Sequence, residues 1–120
     1  MASQPSKDLL TFENPHPNRE YEIVFDIPEF TCICPITGQP DFAQFVIRYV
    51  PNKLCVELKS LKLYMWSFRD EGAFHEDVTN KICNDIIKTV SPKWIKIEGR
   101  FNIRGGIHTS VIIEEGKRGL

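Results

Sequence analysis

The sequence predicts an α+β fold: a four-stranded antiparallel sheet carrying two helices on one face, in the order ββααββ. Three observations predict it. Residues 20–30 and 107–114 alternate apolar and polar side chains, the two-residue period of half-buried strands. Residues 58–90 instead carry apolar side chains at helical spacing. The strand-like segments flank that helical stretch in pairs, which argues against a doubly wound parallel sheet.

Residues 1–19 contain three prolines and many polar side chains, and read as a flexible arm ahead of a domain at 20–115. The first strand, 20–30, places Tyr21, Ile23, Phe25 and Ile27 on one face and Glu22, Val24 and Asp26 on the other. Pro28 cannot donate a ladder hydrogen bond, so it should end this strand or put it at a sheet edge. Residues 31–40 hold Pro35, Gly38 and Pro40, a loop. Strand character returns at 41–50 and continues briefly at 53–56 after the Pro51-Asn52 turn. Leu58, Leu61, Met65 and Phe68 form one stripe of a first helix, with Lys59, Lys62, Trp66 and Arg69 on another face. Gly72 ends it. Val78, Ile82, Ile86 and Val90 define a second helix over about 75–90, stopped by Ser91-Pro92. Trp94, Ile95, Ile97 and Phe101 begin a third strand, 102–106 reads as a turn, and 107–114 is the last strand. Residues 116–120 read as a tail. Helices on one face leave the other face bare. Phe, Val, Tyr and Ile side chains expected there predict a homo-oligomer.

Bulk properties narrow the function. The 120 residues suffice for one modest domain, with 42% hydrophobic and 26% charged side chains. A net charge of -1 argues against direct nucleic-acid binding. No apolar run approaches the roughly 20 residues that span a bilayer. Residues 1–8 lack the apolar centre of a signal peptide, so a cytoplasmic protein without membrane partners is expected. Cys32, Cys34, Cys55 and Cys83 have no zinc-like spacing with the scattered His16, His75 and His108, and no metal is expected.

The chemistry concentrates in Cys34-Pro35-Ile36-Thr37-Gly38-Gln39-Pro40-Asp41. A thiolate is a strong nucleophile, and a nearby carboxyl can supply a proton to whatever it attacks. A lone cysteine is more often a small buried hydrophobe, and Asp41 reads equally as a turn or cap residue. The loop setting of Cys34, with proline and glycine beside it, points instead toward a ligand. Cys32, Cys55 and Cys83 lie within apolar patterns and read as packing residues. His75 and Glu76 open the second helix, where an acid suits the macrodipole, yet a carboxylate there also fits a pair of ligand N–H donors. Glu57 could act likewise. Lys59 and Lys62 share a helical face and would suit phosphates, although such pairs are usually solvated surface. Arg104-Gly105-Gly106 is either a hairpin turn or a close approach to a phosphate.

Three motifs together carry a family resemblance: CPxTGQPD at Cys34 to Asp41, ELKSLKLY at Glu57 to Tyr64, and FHE at Phe74 to Glu76. The chain resembles the single-module 7-cyano-7-deazaguanine reductases of queuosine biosynthesis, related to GTP cyclohydrolase I and built on the tunnelling fold. The resemblance covers roughly residues 13–114. It implies that Cys34 adds to the nitrile carbon as a covalent thioimidate and that Asp41 is the proton donor. It implies that Val56, Glu57, Leu58, His75 and Glu76 hold the deazaguanine. Leu58, Lys59, Lys62, Arg104 and Gly105 would hold NADPH, consumed twice per turnover. It further implies subunits closing into a barrel of stacked rings, with active sites between them. Two other readings stand beside it. One is an amidinotransferase on the same nitrile, which would lack the nicotinamide segment. The other is a non-catalytic purine- or pterin-binding module.

Overall fold

The computed structural model describes residues 3–117. Its main sheet is antiparallel throughout and built from β2 (Ile23–Ile33), β3 (Pro40–Val50), β5 (Trp94–Arg104) and β6 (Ile107–Gly116), in the spatial order β2-β3-β5-β6. Helices α1 (Leu58–Trp66) and α2 (His75–Val90) occupy the interval between the two hairpins, as their periodicity predicts. Two short strands, β1 (Thr11–Glu13) and β4 (Leu54–Val56), pair separately. The expected ββααββ core is therefore present, with a two-stranded ribbon added.

That ribbon alters the reading of the N-terminal arm. Residues set apart as a flexible arm include β1, which pairs Phe12 with Cys55, and an anchored stretch before it. The Leu10 amide donates to Ser60 Oγ at 2.9 Å, and the Glu57 amide donates to the Leu10 carbonyl at 2.9 Å. Tyr21 and Asn14 join by a side-chain hydrogen bond of 2.5 Å, while Asn14 also donates to the Asn52 carbonyl. Non-local hydrogen bonds fix these residues. No local apolar period announces them, which is why composition suggested flexibility. Residues 118–120 of the expected tail lie outside the described residues. Gly116 closes β6, and the Lys117 amide donates to the Lys93 carbonyl.

Pro28 does not end the first strand. β2 runs through it with a register shift between Ile27 and Phe30, and β2 is an edge strand. The missing N–H of proline thus falls where an irregular edge tolerates it. β5 likewise extends to Arg104, further than the expected turn at 102–106. The reversal is made by Gly105 and Gly106, both at positive φ (56° and 78°), which an L side chain adopts reluctantly.

The covered face of the sheet makes the core. Ile47, Tyr49, Ile95 and Ile97 meet Val78, Ile82, Ile86 and Val90 of α2 and Leu61, Tyr64 and Met65 of α1. A run of aromatic contacts crosses it, Tyr64–Phe68 (5.2 Å), Phe68–Phe30 (5.9 Å), Phe30–Phe45 (4.6 Å) and Phe45–Phe101 (5.9 Å). Leu58, assigned to the buried stripe of α1 by spacing, is 66% exposed at the first turn instead. The open face departs more from expectation. It presents Asp26, Gln44, Arg48, Lys96, Glu98, Arg100 and Glu114, with Val24, Phe42, Val46 and Ile112 between them. Arg48 pairs with Glu22, Arg100 with Glu98, and Gln44 with Asp26. Tyr21, Phe25 and Tyr49 do not contribute to it. A bare apolar face therefore does not support oligomerisation here.

One glycine sets how closely helix and sheet approach. A Cβ on Gly99 would lie 2.9 Å from Thr79 Oγ1 and 3.1 Å from the rings of Phe45 and Phe101. Thr79 is fully buried, and its hydroxyl donates to the His75 carbonyl in the first turn of α2. Gly99→Ala is therefore expected to destabilise the protein by about 1–3 kcal/mol, as overpacking does. Denaturant midpoints measure this, and a loss below about 0.5 kcal/mol would show that α2 shifts freely.

Candidate active site

The Cys34 loop is closed by its own backbone. The Cys34 amide donates to the Gln39 carbonyl at 2.8 Å, and the Gly38 amide donates to the Cys34 carbonyl at 2.9 Å. Gly38 takes φ 73°, so the sharp reversal suits glycine. A second set of bonds fastens the loop's base to the segment entering α2. The Ile33 amide donates to the Glu71 carbonyl at 2.8 Å, and the Ala73 amide donates to the Ile33 carbonyl at 3.0 Å. Sequence-distant segments carrying Cys34 and His75 are thereby held side by side.

Asp41 stands directly across from Cys32 in the β2–β3 pair and is only 6% exposed. Its two oxygens face different partners. Arg104 Nε lies 2.8 Å from Oδ1, and His75 Nε2 lies 3.5 Å from Oδ2. The imidazole of His75 stacks flat on Phe101, with centroids 3.9 Å apart and planes inclined by 8°. Phe101 thus orients a ring whose nitrogen addresses the carboxylate. Four elements converge: the loop after β2, the start of β3, the first turn of α2 and the end of β5.

Cys34 is half-buried, whereas Cys32, Cys55 and Cys83 are buried. Its thiol is lowered to about 7 by hydrogen bonds from the Thr37 hydroxyl, the Thr37 and Ile36 amides and Arg104, against a smaller opposing effect of desolvation. Cys32 goes the other way, raised to about 11 chiefly by burial and then by the nearby Asp41. Burial also raises Cys83 to about 11. Cys34 is therefore the thiol most readily converted to the nucleophilic thiolate near neutral pH, while Cys32 and Cys83 remain thiols.

A separate open groove of about 670 Å³ runs between α1 and the free edge of β2. Leu58, Lys62, Met65, Trp66 and Arg69 line its helical side. Cys34 is not among its lining residues. Asp26 and Glu29 line the opposite, β2 side, so the cations Lys62 and Arg69, beside the Trp66 indole, offer phosphate contacts from the α1 side alone.

Comparison with known proteins gives the affiliation. A family model described as QueF-like protein matches residues 40–119. A protein of Anaeromyxobacter sp. (strain Fw109-5), named NADPH-dependent 7-cyano-7-deazaguanine reductase, is 61% identical over 98% of this chain and 97% of its own. The chain belongs to the QueF-like family. A similarly named protein of Thioalkalivibrio sulfidiphilus is 60% identical over 95% of this chain and 88% of its own. Among solved structures, an archaeosine synthase QueF-Like in the apo form superposes with a TM-score of 0.71 at 18% identity, covering 83% of this chain and 96% of that one. That likeness shows a shared fold.

Within this QueF-like chain, the expected site residues fall into two groups. Cys34, Asp41, His75 and Arg104 come together. Glu76 is exposed beside His75, and Gly105 forms the neighbouring turn. Val56, Glu57, Leu58, Lys59 and Lys62 lie at β4 and α1. Val56 is buried, and Leu58, Lys59 and Lys62 are exposed. The Glu57 carboxylate caps α1, with Oε1 accepting from the Ser60 amide and Oε2 from the Lys59 amide, both at 2.8 Å. Those bonds lower its pKa. Among the described residues no cluster of three His, Cys, Asp or Glu side chains could hold a metal ion.

Two contributors carry no expected role in the sequence reading, and a third has a partner beyond the expected one. Thr37 was read only as loop, although a hydroxyl three residues beyond a thiol in a tight turn is the signal for such a bond. Phe101 was read as a strand residue, and its role as a platform for His75 has no local signature. Arg104 was associated with the cofactor alone, yet its partner here is Asp41.

Proposed function

We propose that this protein reduces the nitrile of 7-cyano-7-deazaguanine to the primary amine with NADPH, in queuosine biosynthesis. The observation that carries this reading is the convergence of a low-pKa Cys34 with Asp41, Arg104 and His75. Similarity to curated reductases over nearly the whole chain supports the substrate.

The residues suggest a division of work. The Cys34 thiolate adds to the electrophilic nitrile carbon, giving a thioimidate on the enzyme. Asp41 delivers the proton that the nitrile nitrogen acquires. His75 and Glu76 face the donor-rich edge of the deazapurine, and Glu57 closes the pocket from α1. Lys62 and Arg69 hold phosphate groups in the α1 groove, aided by Lys59, while Leu58 and Trp66 offer a surface for a flat ring. Bound NADPH supplies hydride, and a nitrile-to-amine reduction consumes two equivalents. Collapse of the tetrahedral adduct returns the thiolate to Cys34 between the two reductions.

A homo-oligomeric barrel of stacked rings, with sites shared between subunits, accompanies this reading. Its support is the sheet edges, since among the described residues β6 has no neighbour on its outer side and β2 is met on its outer side by backbone only near Ile33. Four free cysteines suit a reducing cytoplasmic compartment. No described helix is long and apolar enough to cross a membrane.

Purified protein with 7-cyano-7-deazaguanine and NADPH is expected to oxidise two NADPH per nitrile, followed by absorbance. Unchanged absorbance at saturating substrate would reject the reading. Ammonia-dependent amidine formation without NADPH would indicate an amidinotransferase, and binding without any turnover a non-catalytic module.

A further inference from the structure

Asp41 is a buried carboxyl whose two oxygens are not equivalent. Oδ1 is held by Arg104 at 2.8 Å, a charge-assisted bond that fixes the carboxyl plane. Among the described residues Oδ2 is faced by His75, at 3.5 Å, too long for a strong bond. Arg104 also contributes to lowering the Cys34 pKa, less than the Thr37 and Ile36 hydrogen bonds do, although it arrives from the far end of β5.

We propose that Arg104 is a positioning residue of the reaction: it occupies Oδ1 of Asp41, leaving Oδ2 as the oxygen that exchanges a proton with substrate, and sets its charge beside the Cys34 sulfur. The inference rests on the nitrile-reductase reading above. The step balances. The thiol proton passes to Oδ2 and then to the nitrile nitrogen as the S–C bond forms and one C–N π bond breaks. The carboxylate and guanidinium finish as they began. Arg104 suits this task because its planar fork can serve two acceptors in fixed directions, and its charge is permanent. Around this pair lie Thr37 from the Cys34 loop and Cys32 from β2, which act on Cys34, and His75 from α2, which faces Asp41 of β3. Arg104 is the permanent cation in that set.

The test uses Arg104→Gln and Arg104→Lys in the full-length protein. Arg104 lies exposed near a hairpin tip, so neither change removes core packing. Three measurements are made: adduct formation with 7-cyano-7-deazaguanine without NADPH, by mass spectrometry; the pH dependence of Cys34 alkylation by iodoacetamide; and NADPH affinity. Wild type should alkylate with a midpoint at about 7. In Arg104→Gln the midpoint should rise only slightly, because the thiolate loses a cation but keeps the larger Thr37 and Ile36 hydrogen bonds. Adduct formation should slow about 10- to 100-fold through misplacement of Asp41. Arg104→Lys should restore the midpoint in part but not the adduct rate, since an ammonium lacks the fork. A wild-type midpoint and adduct rate in Arg104→Gln, with weakened NADPH affinity alone, would overturn the proposal and make Arg104 a cofactor contact. If wild type forms no adduct, the nitrile reading fails instead, and the alkylation profiles still decide whether Arg104 acts on Cys34.

Discussion

Cys34→Ala is expected to abolish nitrile reduction, with turnover falling by at least about 10³-fold and no covalent adduct on mass spectrometry. A nitrile carbon accepts hydride poorly until sulfur addition converts it to a C=N bond, and alanine offers no atom for that addition. No second thiol can substitute. Cys32 is fully buried with its pKa raised to about 11, and Cys55 and Cys83 are buried elsewhere in the fold. The loop should persist without the sulfur, because its closure is made by backbone bonds between Cys34 and Gln39 and between Gly38 and Cys34. Stability should therefore change by less than about 1 kcal/mol, and binding of the deazapurine should survive. Isothermal titration against the variant, beside the NADPH absorbance assay, separates lost chemistry from lost binding. An adduct on the alanine variant, or turnover within tenfold of wild type, would remove Cys34 from the reaction.

Asp41→Asn should lower the rate of adduct formation by about 10²- to 10⁴-fold, the range that positioned proton transfer contributes. Asparagine keeps the shape of the side chain, and its oxygen can still accept from Arg104, but the amide cannot carry the proton. Ground-state binding of substrate and cofactor should change little, so the loss appears in kcat more than in KM. A variant within threefold of wild type would show that another group, with His75 the nearest candidate, delivers the proton. Asp41→Ala is the harsher change. It leaves the Arg104 guanidinium without its carboxylate, and combines lost chemistry with lost positioning.

Much of the fold was legible because it is written in short-range periods. The two-residue alternation of β2 and β6 and the four-residue spacing of Val78, Ile82, Ile86 and Val90 need no tertiary information. Legibility failed where the determining partner lies far along the chain. β1 depends on Cys55 and Ser60, and the passage of β2 through Pro28 depends on its place at the sheet edge. The composition of the open face was misjudged for a related reason. Alternation tells which residues share a face but not which face the helices cover, and Phe25, Phe45, Tyr49 and Phe101 turned out to line the covered one.

The same division holds for the candidate site. By itself the chain's residue pattern determined the α+β class, the thiol-bearing turn with an acid seven residues on, and the lysine-bearing helix. Only the folded molecule decided that Arg104 bonds Asp41, that Phe101 carries His75, and that Glu57 caps α1. Each of those contacts spans strands and helices whose juxtaposition comes from burying one common core, and no local spacing encodes a distance set that way.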